Sequence, residues 1–85
     1  MQGKVKYIIV LLVVTLKLSA QDSSFRFNDS LTYSQYVEKK WSSLIRSGKK
    51  AIGYGHDYYY LRMRLGIAYY EKHNYALAAK HFRKA

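Results

Sequence analysis

Apolar positions change their spacing twice along the chain. From Tyr7 to Leu16 they run almost unbroken, with Lys4 and Lys6 before them and Lys17-Leu18-Ser19-Ala20 after. From Gln21 to Ser30 polar residues dominate, interrupted by Phe25 and Phe27. From Leu31 onward apolar residues return at intervals of three and four, the spacing of amphipathic helices. Two breaks divide that stretch, a weak one at Lys39-Lys40 and a strong one at Gly53-Tyr54-Gly55-His56-Asp57. The pattern predicts a helix over Trp41–Ile52 stopped by Gly53. A second is predicted from about Tyr58 to Lys72 with Asp57 as its cap, and a last from Tyr75 to Ala85 capped by Asn74. The His73-Asn74 turn is short enough to force the last two helices antiparallel. The fold class is all-α.

The first stretch reads as an address. A basic start, a short apolar core and a small residue at a cleavable site are the parts of a secretory signal peptide. The core is shorter than the roughly twenty residues a bilayer crossing needs. Residues 1–20 are therefore expected to be a signal cleaved after Ala20, and residues 21–30 a linker. Lys17 and Leu18 are unusual so near a cleavage site, which leaves an uncleaved anchor in the inner membrane as the alternative. No cysteine is present, which excludes a lipid-modified cysteine, a disulfide framework and a thiolate metal site.

Small residues mark the faces on which the last two helices would meet: Gly66 and Ala68 on one, Ala76, Ala78 and Ala79 on the other. Leu65, Tyr69, Tyr75 and Phe82 would fill the space around them. Leu65-Gly66-x-x-Tyr69, then Tyr75, then Ala78-x-x-x-Phe82-x-x-Ala85 resembles the tetratricopeptide-repeat pattern, L-G-x-x-Y followed by A-x-x-x-F. Arg62 stands where that pattern opens with Trp, and its closing Pro would fall after Ala85. A shift by the family's period of about 34 residues places Leu31 on Leu65, Tyr36 on Tyr70, Trp41 on Tyr75 and Ala51 on Ala85. It fails at Thr32 against Gly66, Leu44 against Ala78 and Gly48 against Phe82. Residues 31–57 thus read as a degenerate first repeat and residues 58–85 as a second, truncated at its C-terminal end. Such arrays usually need about three repeats, so the chain is expected to be the N-terminal part of a longer protein with further repeats or a C-terminal domain.

The resemblance implies an α-solenoid scaffold for protein–protein interaction, and the signal segment adds the expectation of export to the periplasm or outer membrane of a Gram-negative bacterium. The first helix of each unit would line a ligand groove, placing Tyr60, Met63, Ile67, Tyr70 and Glu71 there, with Tyr33, Tyr36 and Val37 from the earlier unit. Aromatics and Met anchor protein interfaces, although the same face could pack on a further repeat. Some family members clamp acidic chaperone tails with Lys and Asn in that groove. Met63 and Ile67 stand at those places here, so that activity is not expected.

Charge adds a second surface. Fifteen Lys and Arg face five Asp and Glu, for a formal charge of +10. Arg46, Lys49 and Lys50, with Lys80, Arg83 and Lys84, form a basic edge that would either touch anionic envelope components or simply complement helix C-termini. A basic helical module binding nucleic acid or an anionic membrane surface is the alternative function, but no nucleic-acid motif is visible. Catalytic, cofactor and metal sites are not expected. His56, His73 and His81 lack ligand spacing, the acids are scattered, and Gly53-x-Gly55 lacks the rest of a phosphate loop.

Overall fold

A computed structural model describes residues 23–85 of the chain. It is all-helical, with no strand among the described residues: α1 (residues 23–37), α2 (Trp41–Gly53), α3 (Tyr59–Glu71) and α4 (Tyr75–Lys84). The expected signal segment lies outside the described residues. Among the described residues no helix is long and apolar enough to cross a membrane.

The core is built on α3, which packs against α2 on one side and α4 on the other. Packing between these two partners buries a broad face of α3, made of Leu61, Arg62, Leu65, Gly66, Ala68 and Tyr69. The flanking helices each bury a single stripe: Leu44, Gly48 and Ala51 on α2, Ala78 and His81 on α4. Leu61, Leu65 and Ala51 form the apolar centre, with Ile45, Ile52 and Tyr58 half-buried around it. Each fully buried leucine contributes about 1.5–3 kcal/mol.

Both interfaces use a glycine to bring a bulky side chain onto a helix backbone. A Cβ on Gly48 would lie 2.6 Å from Leu65 Cδ2, and one on Gly66 would lie 2.4 Å from Phe82 Cε1. Gly66 thus meets a phenyl ring, not the alanine row expected opposite it. Ala78 is buried as expected, but Ala76 is exposed, and Tyr75 is 55% exposed. Gly48 and Thr32, where the expected internal repeat fails, each have a packing role of their own. Gly48 receives Leu65 of α3. Thr32 is fully buried because its hydroxyl donates to Asn28 O at 2.9 Å and accepts from Arg64 Nη1 at 3.1 Å.

All three connections close in the same way. After α1, Lys39 N–H donates to Tyr36 O and Lys40 N–H to Gln35 O; after α3, His73 donates to Tyr70 O and Asn74 to Tyr69 O. After α2, Gly55 donates to Ile52 O and His56 to Ala51 O. Each is the paired bond of a helix closed by one left-handed residue, with φ of 59° at Lys39, 64° at His73 and 92° at Gly55. The break after α2 is therefore made at Gly55, while Gly53 is the last residue of the helix. Lys39 and His73 stand 34 residues apart, as do Trp41 and Tyr75 at the starts of α2 and α4.

Two sequence expectations are corrected. Residues 23–30, expected as linker, are helical. Phe25, Asn28, Asp29 and Thr32 share one helical face, and that face docks on the loop after α2 and the start of α3: the Phe25 ring lies 5.6 Å from His56 and 4.9 Å from Tyr58. Tertiary contact, not local propensity, makes this segment a helix. Asp57 does not cap α3, whose cap position is Tyr58 with no side-chain bond. Its carboxylate is drawn instead to Arg62. Asn74 does cap α4, accepting from Leu77 N at 3.3 Å.

Candidate functional site

Helical spacing puts Tyr33 and Tyr36 on one stripe of α1, and Tyr60, Met63, Arg64 and Ile67 on one stripe of α3. The two stripes, with Tyr59, enclose an open, mainly apolar groove of about 310 Å³. Five of the residues expected there are brought together: Tyr33, Tyr36, Tyr60, Met63 and Ile67. Tyr70 and Glu71 lie past its end; the Tyr70 ring packs edge-on against Tyr75 at 5.3 Å, and both Tyr70 and Glu71 are exposed. Val37 is exposed and is not part of the lining.

Arg64 is one of two groove residues that sequence reasoning missed. Its guanidinium stands 5.4 Å from the Tyr33 ring centre, a cation–π contact. Nη1 donates to Asp29 Oδ1 at 2.8 Å and to Thr32 Oγ1 at 3.1 Å. Tyr58 O–H donates to the same Asp29 oxygen at 2.6 Å. The Tyr58 hydroxyl and the Arg64 guanidinium together hold the Asp29 carboxyl below the usual carboxylate range. Burial and the neighbouring Asp29 push the Tyr58 phenol up. Arg64 therefore fixes the distance between the two walls while its charge is met by Asp29. Its signal was position alone: it follows Tyr60 by four residues, on the same face. Tyr59, four residues before Met63, is the other, with the same positional signal.

Basic residues form a separate cleft between α2 and α4, of about 370 Å³, with α3 as its floor. Lys49, Lys80 and Lys84 line it, as do Arg62, Tyr69 and His81. The other expected basic residues point elsewhere. Lys50 borders a smaller cavity beside α1, Arg46 makes a long bond to Ser43 Oγ at 3.5 Å, and Arg83 is exposed at the end of α4.

Under the cleft, Arg62 is buried and donates Nε to Asp57 Oδ1 at 2.7 Å and Nη2 to Asp57 Oδ2 at 2.6 Å. Its Nη1 lies 3.0 Å from His81 Nδ1. A guanidinium only donates, so Nδ1 accepts and the imidazole proton resides on Nε2. The His81 ring stacks on Tyr69 at 5.3 Å and 8°. Burial first, then the charges of Arg62, Lys80 and Lys84, lower the His81 pKa and favour the neutral ring. Bonding to Arg62 lowers the Asp57 pKa.

Nothing in these arrangements pairs a nucleophile with a base and a third orienting group. Among the described residues no group of three or more His, Cys, Asp or Glu is placed to hold a metal ion. No family model, curated protein or solved structure matches the chain.

Proposed function

We propose that the chain is a non-catalytic scaffold of the tetratricopeptide-repeat type, exported to the cell envelope, that holds a segment of another protein in the groove between α1 and α3. The observation that carries this reading is the groove itself. Tyrosines from one helix and Tyr60, Met63 and Ile67 from another meet across an open concavity. Tyr33 and Tyr60 remain more than half exposed at 56% and 65%. Exposed aromatics held on rigid helices give large contact area at low entropic cost, the usual basis of a protein-binding hot spot. Because Asp29 meets the Arg64 charge, the groove selects for apolar and aromatic side chains over a charged tail. Support for the repeat assignment comes from the shared turn geometry at Lys39 and His73, one family period apart.

Peptides selected on the full chain from a random display library supply the ligands for a test. Tyr36→Ala, Met63→Ala and Ile67→Ala should each weaken binding about tenfold or more, as hot-spot truncations do, with helix content unchanged. Equal binding by all three variants would remove the groove from consideration. Export is tested by fractionating cells that express the tagged protein and sequencing its N-terminus. Retained Met1 in a cytosolic pool would end that part of the proposal.

A further inference from the structure

Four cations meet in the cleft between α2 and α4, with one carboxylate beside them. Both oxygens of that carboxylate, Asp57, are already held by Arg62. Lys49, Lys80 and Lys84 make no ion pair or hydrogen bond among the described residues. They come from two different helices, so their convergence is a product of the fold and not of a run of charge. Three unneutralised ammoniums around one concavity repel one another, and an anion seated among them relieves that repulsion. Apolar edges stand beside them, at Ile52 on α2 and Leu77 on α4. An exposed ring on which a nucleic-acid base could stack is missing. Tyr69 is only 8% exposed, and its face is covered by His81.

We infer that this cleft is a phosphate site that seats the headgroup of an anionic phospholipid. Lys49, Lys80 and Lys84 take the phosphate oxygens, and Ile52 and Leu77 meet the glycerol and upper acyl carbons. Arg62 and His81 form the floor and set its shape. A floor held by a two-point ion pair does not collapse when the lysines move. The site shares no lining residue with the tyrosine groove, so one molecule can hold a protein segment and a membrane surface at once.

The test separates a built site from general basicity. The full chain is titrated with vesicles of phosphatidylcholine containing phosphatidylglycerol, at physiological salt. Two triple variants carry the same loss of charge: Lys49→Gln/Lys80→Gln/Lys84→Gln in the cleft, and Arg46→Gln/Lys50→Gln/Arg83→Gln outside it. Diffuse attraction weakens binding about fivefold for each lysine removed near a surface, wherever it sits. The seated headgroup predicts that the cleft triple loses at least tenfold more affinity than the outer triple, with equal helical content in both. Equal losses would overturn the site. So would cleft-dependent binding of inorganic phosphate or of a single-stranded oligonucleotide without binding to vesicles, since the source would then not be a lipid. Tyr36→Ala, which removes a groove side chain that does not line the cleft, should bind vesicles like the parent. Failure of the groove reading therefore leaves this result untouched, and the reverse also holds.

Discussion

Arg62 holds Asp57 by two parallel bonds, 2.7 Å and 2.6 Å long, and gives its remaining Nη1 to His81. One buried cation therefore ties the loop after α2, the start of α3 and the middle of α4 together. The pair makes stability depend on pH in two stages. Asp57 has its folded pKa depressed by Arg62, and Asp29 has its own depressed by Tyr58 and Arg64. Their contributions are complete above the unfolded carboxylate value near 4 and are lost as pH falls through the lower folded values. His81 is also depressed, chiefly by burial, with Arg62, Lys80, Lys84 and Asp57 acting on it electrostatically and Lys49 lining the same cleft. The unfolded chain takes up that proton first, so stability is complete above about 6.5 and declines below it.

Thermal melts of the parent protein should show a plateau above pH 7, a first decline below about 6.5 and a second below about 4. In His81→Gln the amide oxygen can still accept from Arg62, and the first decline should disappear while the second remains. A first decline unchanged in that variant would show that another group carries it.

Gly66 and Phe82 give a prediction whose sign is unusual. Glycine inside a helix ordinarily costs about 0.5–1 kcal/mol against alanine, so Gly→Ala is expected to stabilise. Here the added Cβ would lie 2.4 Å from Phe82 Cε1 and 2.5 Å from Cδ1. Gly66→Ala should therefore destabilise by about 1–3 kcal/mol, the range of overpacking. Phe82→Ala should return the ordinary gain to Gly66→Ala when the two are combined. The coupling is read from a double-mutant cycle of chemical denaturation, and simple additivity would mean the ring moves aside freely.

These contacts also explain which parts of the structure could be read from residues alone. The bounds of α2 and α4 were legible because Trp41 and Tyr75 start runs that keep one helical spacing, and because Asn74 is a strong cap. Residues 23–30 were not legible, because the face that docks them is Phe25, Asn28, Asp29 and Thr32. Three of those four are polar, so apolar periodicity passes over a helix held by hydrogen bonds. The Arg62–Asp57 pair was hidden for a related reason. An aspartate before a helix has a strong local role as a cap, and only the folded chain shows that a buried guanidinium outcompetes it. In the groove, Tyr60, Met63 and Ile67 were expected from the repeat resemblance, which puts the first helix of each unit along a groove. Arg64 did not, because a cation in an apolar stripe makes sense only when Asp29 is brought beside it from α1.

That cross-helix link makes α1 the element most sensitive to a single change. Arg64 Nη1, Tyr58 O–H and Asp29 Oδ1 form one cluster between α1 and the start of α3. Arg64→Met keeps the apolar stem but leaves Asp29 with Tyr58 as its partner. The loss of a partly buried charged bond is about 1.5–3 kcal/mol. It should appear locally, as faster amide exchange in residues 23–37 with α3 and α4 little changed. Asp29→Asn should produce the same pattern more weakly, since Asn can still accept from both donors. Uniform acceleration in all helices would mean that α1 unfolds only with the whole domain.

The closing turns offer a gain in stability. Lys39 and His73 occupy the left-handed region at φ 59° and 64°, while the equivalent place after α2 is given to Gly55. A side chain in that conformation costs roughly 1–2 kcal/mol relative to an ordinary backbone well. Glycine removes the clash but adds freedom to the unfolded chain, so a net gain of about 0.5–1 kcal/mol is expected for Lys39→Gly. His73→Gly should gain less, because His73 Nδ1 and Tyr75 Oη are paired at 3.0 Å and the ring also meets Tyr75 edge-on. Melting temperatures of the two single variants and their combination supply the check. A loss of stability in Lys39→Gly would mean that its side chain has a role at the hairpin turn that the turn geometry does not require.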